Sequence, residues 1–142
     1  YLETYRAKEL VRVLRDGKES LRNASTQIYF LLGGNEVSHF HRISSDEIWH
    51  FYAGTSLTIH SIDASGHYAS CILGQGIDDR ERPQICIEAG LWFAAELNDK
   101  SSYTLLGCSV APSFEFEDFE LAERSNLVGI YPEHEELITR LT

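Results

Sequence analysis

The densest group of side chains able to do chemistry lies between Gly34 and Gly54, in the sequence GNEVSHFHRISSDEIWHFYAG. His39 and His41 are two residues apart, so on a strand both imidazoles leave the same face. A hairpin return then brings up Glu47, with Trp49 and Phe51 on its face and Ile48, His50 and Tyr52 on the other. Two imidazoles and a carboxylate on adjacent strands make a three-ligand metal set from His39, His41 and Glu47. They make an acid/base set equally well, because a carboxylate beside an imidazole orients it and raises its basicity. On that arrangement the His41 titration moves upward from ~6.5. The competing reading is structural, with His39 at a barrel mouth and His41 a hydrogen-bonded core histidine.

These residues need strands to hold them, and the chain supplies strands almost throughout. Short β-branched and aromatic runs cover 27–32, 37–41, 47–53, 57–62, 68–73, 84–87, 91–97 and 103–110. Turn residues separate them at roughly 8–12-residue spacing, which is the pattern of an all-β sandwich or barrel. Two segments read as helices. Lys8 to Arg15 places Leu10, Val13 and Leu14 on one face. At the C-terminus Pro132 occupies a first helical position, acidic residues fill the first turn, and Leu137, Ile138 and Leu141 form an apolar stripe.

The 142 residues suffice for one domain with a core of its own, spanning 1–142. Net charge is −10, from 12 basic and 22 acidic residues, which makes nucleic acid a poor partner. The charge is uneven: residues 1–22 carry six basic and four acidic side chains, and the remainder six and eighteen. No apolar run reaches the ~20 residues of a membrane helix, so no membrane partner is expected. Cys71, Cys86 and Cys108 lack disulfide or zinc spacing, which fits a reduced, cytoplasmic compartment. The carboxylates from Glu115 to Glu123 lack the glycine and alternating oxygens of a calcium loop and read as a solvated acidic turn. Cys108, between Leu106 and Val110, reads as a small buried hydrophobe. His60, His67 and His134 have no ligand-spaced partner and receive no role.

The spacing Gly34-x4-His39-x-His41-x5-Glu47-x6-Gly54 resembles the first motif of the cupins, with both inner spacings off by one. The best match to their second motif is Glu88-Ala89-Gly90-Leu91-Trp92-Phe93, which puts Phe93 where an ordinary cupin has its last histidine ligand. A closer resemblance runs through Tyr29 to Leu32, His41-Arg42, Asp46 to Gly54, Arg82-Pro83-Gln84, Ala89 to Trp92, Tyr103 to Phe114 and Tyr131 to His134. These segments are similar to one cupin family, described as predicted sugar epimerases and otherwise as a domain of unknown function. The resemblance implies a double-stranded β-helix, a jelly-roll barrel, with a short C-terminal helix. It makes Tyr1 to Arg6 the first strand, normally preceded by a helix and a P-H-P-E-G-G turn that this sequence does not contain, in keeping with its lack of methionine. It also implies a homodimer, since cupins commonly pair through a sheet and Ile48, His50 and Tyr52 offer an outer face.

Three functions follow as expectations. The first is a metal-independent epimerase or isomerase on a sugar or nucleotide-sugar-like ligand, as the resemblance implies. His41 is then the base, Glu47 its orienting partner, and a barrel-lining tyrosine, Tyr29 or Tyr103, the acid. Arg42, Trp49 and Trp92 complete the ligand contacts, the tryptophans as stacking platforms. The second is a small-molecule binding module without turnover. The third is a metal-dependent cupin that holds a divalent cation on His39, His41 and Glu47, with water in the open position. No other cofactor is implied.

Overall fold

The computed structural model of the protein describes residues 1–15 and 17–142. A five-stranded sheet is built from β1 (Leu2–Arg6), β4 (Thr26–Gly33), β12 (Tyr103–Ala111), β6 (Asp46–Gly54) and β10 (Gln84–Ile87), paired in that order. A six-stranded sheet faces it. Its order is β13 (Phe119–Leu121), β5 (Val37–Ile43), β11 (Trp92–Leu97), β7 (Leu57–Ile62), β8 (Tyr68–Leu73) and β9 (Glu81–Arg82). All pairings are antiparallel except β8 with β9. From β4 to β7 and again from β9 to β13 successive strands alternate between the two sheets, and the result is the expected jelly roll.

Each sheet has an inner face, as the period-2 alternation requires. Trp49, Leu106, Ile85 and Ile87 from the first sheet meet Phe93, Ile59 and Leu57 from the second in the inter-sheet core. The second sheet also buries its outer face. Phe40, Trp92 and Ala94 pack there against Leu127, Tyr131, Ile138 and Leu141 of the C-terminal segment. Two short helices form that cover, α1 (Arg124–Ile130) and α2 (Glu135–Arg140). Pro132 opens a single 3₁₀ turn ahead of α2. The sequence pattern did not indicate α1; the Glu123 carboxylate caps it, accepting from the Ser125 and Asn126 amides. Gly54 is fixed by its surroundings: its φ is +99°, and a Cβ there would strike the Tyr103 carbonyl, so the β6 end and β12 approach closely only without a side chain.

One expected helix is a strand. Leu10–Arg15 forms β2, which pairs with β3 (Lys18–Asn23) in a separate hairpin. LVRVLR satisfies both periods. Cross-strand pairing decides it, because β-branched Val11 and Val13 suit the pleat and Gly17 takes a positive φ of 73° at the turn.

The acidic stretch is not a free turn either. Arg6 of β1 pairs with Glu115 at 2.5 Å, and Arg42 of β5 with Glu120 at 2.6 Å. Between them, Arg15 and Arg22 of the β2–β3 hairpin converge on Asp118 at 2.8 and 3.0 Å. The strap from Phe114 to Leu121 is therefore riveted to the barrel by arginines from the N-terminal third. Burial pushes the Asp118 carboxyl up, but the two guanidiniums outweigh it and leave its pKa below the ordinary value. A depressed carboxyl contributes stability above its unfolded pKa and loses it as pH falls through the folded one. Asp118→Asn is thus expected to cost about 2 kcal/mol at pH 7, less than a fully buried pair because the groups are partly solvated. Urea melts check this: the deficit should begin to shrink as pH falls below ~4 and vanish only once pH has passed below the depressed folded pKa, where the wild-type carboxyl is itself protonated.

Candidate functional site

A cavity of about 320 Å³ opens between the two sheets at the end covered by the strap. The inner face of the first sheet contributes Ile28, Phe30, Glu47, Trp49, Cys108 and Val110. Register explains the grouping: Glu47 lies opposite Val110, and Trp49 opposite Cys108. Across the cavity β5 presents His39, His41 and Ile43, with Val37 and Ser38 at its edge beyond a bulge that puts Ser38, not Val37, opposite inward-facing Ala95. Phe114, Phe116, Phe119 and Leu121 of the strap border the mouth, Phe116 and Leu121 remaining largely exposed. His39, His41, Glu47 and Trp49 all border this space, and His39, itself exposed, sits at its rim.

The other expected ligand residues lie elsewhere, and parity within each strand is the reason. Tyr29 and Tyr103 were expected to line the barrel. Both belong to the outward set of β4 and β12 and stand 48% and 49% exposed. Trp92 and Arg42 face the helical layer. The Arg42 guanidinium lies 4.6 Å from the Trp92 ring centroid while also binding Glu120. Sequence reasoning missed the strap aromatics. Their signal was an alternation of Phe114, Phe116 and Phe119 with acids, which reads as a turn unless the arginine partners are known. It also gave His60 no partner. The fold supplies two from other strands, with Nδ1 2.8 Å from the Tyr68 hydroxyl and Nε2 3.3 Å from Glu96, outside the cavity.

The electrostatics of the two central groups diverge. Glu47 is 8% exposed, and burial pushes its carboxyl up to about 7. The Cys108 thiol and the Trp49 indole lie beside it and oppose that rise weakly. Trp49 Nε1 is buried and reaches no partner at hydrogen-bond geometry. The Cys108 thiol, held far from ionisation by the same burial and by Glu47, is a packing group, as expected.

His41 departs from expectation. Burial lowers its pKa, a contact with the His39 carbonyl opposes that, and nearby His39 lowers it further. Glu47 has no part in the shift, and no ion pair within 4.0 Å joins the two. Glu47 is therefore not the orienting partner. That partner is the His39 carbonyl, 2.7 Å from Nδ1. A carbonyl only accepts, so Nδ1 carries the hydrogen and Nε2 keeps the lone pair. The ring is held by Phe93 and Phe119, with centroids at 4.1 and 5.3 Å.

The donor set does not fit a metal. Among the described residues no three His, Cys, Asp or Glu side chains converge at ligating distance. Phe93, directly opposite His41 in the β5–β11 register, covers the imidazole with an aromatic ring. His39, His41 and Glu47 border one cavity but are not drawn together as a coordination shell.

Comparison with known proteins agrees with this architecture. The family model described as "Cupin superfamily (DUF985)" matches residues 1–122, and the chain belongs to that family. A solved protein of Shewanella oneidensis is 37% identical, covering 99% of this chain and 84% of its own, with a TM-score of 0.87. A hypothetical protein from Leishmania major is 30% identical over 99% of this chain and 86% of its own, TM-score 0.88. A dTDP sugar isomerase from Desulfovibrio desulfuricans shares the fold at 13% identity, covering 87% of this chain and 85% of its own, TM-score 0.63. Among curated proteins none matches. No helix among the described residues is long and apolar enough to cross a membrane.

The raised Glu47 carboxyl makes stability pH-dependent in a defined direction. The folded state holds a proton between pH 4.5 and about 7 that the unfolded state has released. Stability relative to a non-titrating side chain is full below 4.5 and falls as pH rises through 7. Glu47→Gln should flatten that slope and be more stable than wild type at pH 8 by about 3 kcal/mol. Denaturant melts at pH 5 and pH 8 measure both effects.

Proposed function

We propose, from membership in this cupin family and from its cavity, that the protein is a metal-independent isomerase or epimerase acting beside a carbonyl group. One observation carries the reading: two titratable groups with oppositely shifted pKa values face one largely apolar cavity. Such a divergence assigns an acid and a base at the same pH. His41 is unprotonated near neutrality with its Nε2 lone pair free, and is the base. Glu47 retains a proton at pH 7 in about half of the molecules and is the acid, the role first expected of a tyrosine.

In the proposed step His41 takes the proton from a carbon next to the carbonyl. The C–H electron pair becomes a C=C bond while the carbonyl π pair takes the Glu47 proton, giving a neutral enol. The enol returns its O–H proton to Glu47 and takes a proton at carbon, either from the His41 imidazolium on the same face, which restores the ligand with solvent-exchanged hydrogen, or from a water on the opposite face whose lost proton is replaced from His41, which yields the epimer. The fold shared with a dTDP sugar isomerase is consistent with such a reaction. A non-catalytic binding module is the second reading, favoured by the outward placement of Tyr29 and Tyr103, which leaves the cavity without either expected tyrosine acid.

The outer face of the first sheet supports a homodimer. Tyr29, Leu31, Tyr52 and Tyr103 stand about half exposed there with Ile48 and His50, and the outward positions of β4, β6 and β12 from Tyr103 to Ser109 carry no formal charge. Two copies of a −10 chain meet with least repulsion through such a neutral face.

Proton NMR in D₂O tests the reaction on acetophenone, cyclohexanone and a 4-keto-6-deoxy sugar. Wild-type protein is expected to speed exchange at the carbon beside the carbonyl, with His41→Asn and Glu47→Gln each at least ~100-fold slower. Binding without exchange above the buffer rate selects the non-catalytic reading. Sedimentation at micromolar protein should give twice the 16.1 kDa chain mass, and Leu31→Lys should give the single chain.

A further inference from the structure

The same cavity restricts the chemistry of its ligand, and the restriction points away from nucleotide-linked sugars. At about 320 Å³ it lies at the low end of small-molecule pockets and holds roughly ten water volumes at ~30 Å³ each. Its walls are mostly hydrocarbon and aromatic, including Ile28, Phe30, Val110, Phe116, Phe119 and Leu121. No lysine or arginine is among its lining residues.

The arginines nearest the mouth are already engaged. Arg6, Arg15, Arg22 and Arg42 are paired with Glu115, Asp118 and Glu120 of the strap. Freeing one for a phosphate would break the contacts that close the cavity. An anionic group inside would also meet Glu47 without a compensating cation, and a buried charge needs a partner. Phosphate recognition calls for arginine or lysine donors or a helix N-terminus, and the cavity walls offer neither.

What remains is one proton donor in an apolar space. Glu47 is more than nine-tenths buried and borders the cavity, so its protonated carboxyl can donate to a ligand oxygen there. A neutral carbonyl accepts that hydrogen bond, and an apolar body fills the rest. We infer that the cavity selects a small, uncharged carbonyl compound with an apolar body, seated with its oxygen on Glu47, and rejects carboxylates, phosphates and nucleotides. This ligand class rests on the proton-transfer reading for its catalytic use, but not for its binding.

The two tryptophans give a direct readout, since Trp49 borders the cavity and Trp92 lies behind the other sheet. In ¹⁵N-labelled protein at pH 7, each indole N–H resonance is assigned by its Trp→Phe variant. Acetophenone is expected to shift the Trp49 resonance saturably below about 10 mM and to leave Trp92 unmoved. Ethylbenzene, the same shape without the oxygen, should bind at least tenfold more weakly. Benzoate and uridine diphosphate glucose should not saturate over that range. In Glu47→Val, with an unshifted Trp92 resonance reporting an intact fold, acetophenone and ethylbenzene should bind equally. Failure of acetophenone to saturate overturns the inference, as does equal binding of ethylbenzene to wild type, or tighter binding of benzoate or the nucleotide sugar. Acetophenone that binds without exchange at its methyl group refutes proton transfer and leaves the ligand class standing. Exchange on a 4-keto nucleotide sugar, with no acetophenone binding, does the reverse.

Discussion

Arg15 and Arg22 meet on Asp118, and the closure of the cavity depends on that junction. The strap from Phe114 to Leu121 is short, and its regular elements are a single 3₁₀ turn at Phe116–Asp118 and the three-residue β13. Such a segment holds its place only through side chains. Phe114 and Phe119 sit at the barrel mouth with Phe116 at its exposed rim, and the carboxylates reach arginines on β1, β3, β5 and the end of β2. The excess of basic residues in the first 22 positions and of acids beyond them is the sequence trace of this clamp. It joins the two ends of the chain across about a hundred residues. Its contribution is partly conformational, because several partly buried pairs to one segment hold a geometry that a lone surface pair would not.

The chemistry of the cavity follows from that closure. Water removed from the space between the sheets can no longer solvate Glu47 or His41, and each charged form becomes costly. For an acid this raises the pKa and for an imidazole it lowers it, so one physical cause moves the two groups in opposite directions. An open barrel mouth would return both toward their ordinary values. Phe119 shows the coupling at one residue, since it belongs to the strap and also packs on the His41 ring. The hydrogen bond between His41 Nδ1 and the His39 carbonyl adds what desolvation cannot, a defined tautomer.

How far this was legible in the sequence depended on the range of the interactions. Strands with strict alternation, such as the run around His39 and His41 or that from Tyr103 to Val110, were readable because their pattern is local. The face shared by His39 and His41, and that shared by Glu47 and Trp49, followed from parity alone. Tyr29 and Tyr103 were misplaced because a strand's pattern does not tell which of its two half-apolar faces is inner. That is settled by register, Tyr29 lying opposite Gly107 and Thr26 opposite Val110. LVRVLR was ambiguous between periods, and its hairpin partner resolved it. The clamp was invisible because each half, read alone, is an ordinary solvated charge cluster. The Glu47–His41 relationship failed for a related reason. Proximity along the sequence suggested contact, whereas the fold places them on opposing sheets.

Phe93 links the departure from ordinary cupin spacing to the proposed chemistry. A ligating side chain at this position would draw an imidazole lone pair toward a metal, and a coordinated nitrogen cannot accept a proton from a ligand. The aromatic ring instead lies tilted against His41 and fills the space with carbon. That removes a competitor for the His41 lone pair and adds to the desolvation that keeps the ring neutral. Phe93 thus bears on the ionisation of His41 through the burial it adds. On the proposed reading, a position that serves coordination in other cupins here serves proton exchange with a neutral ligand.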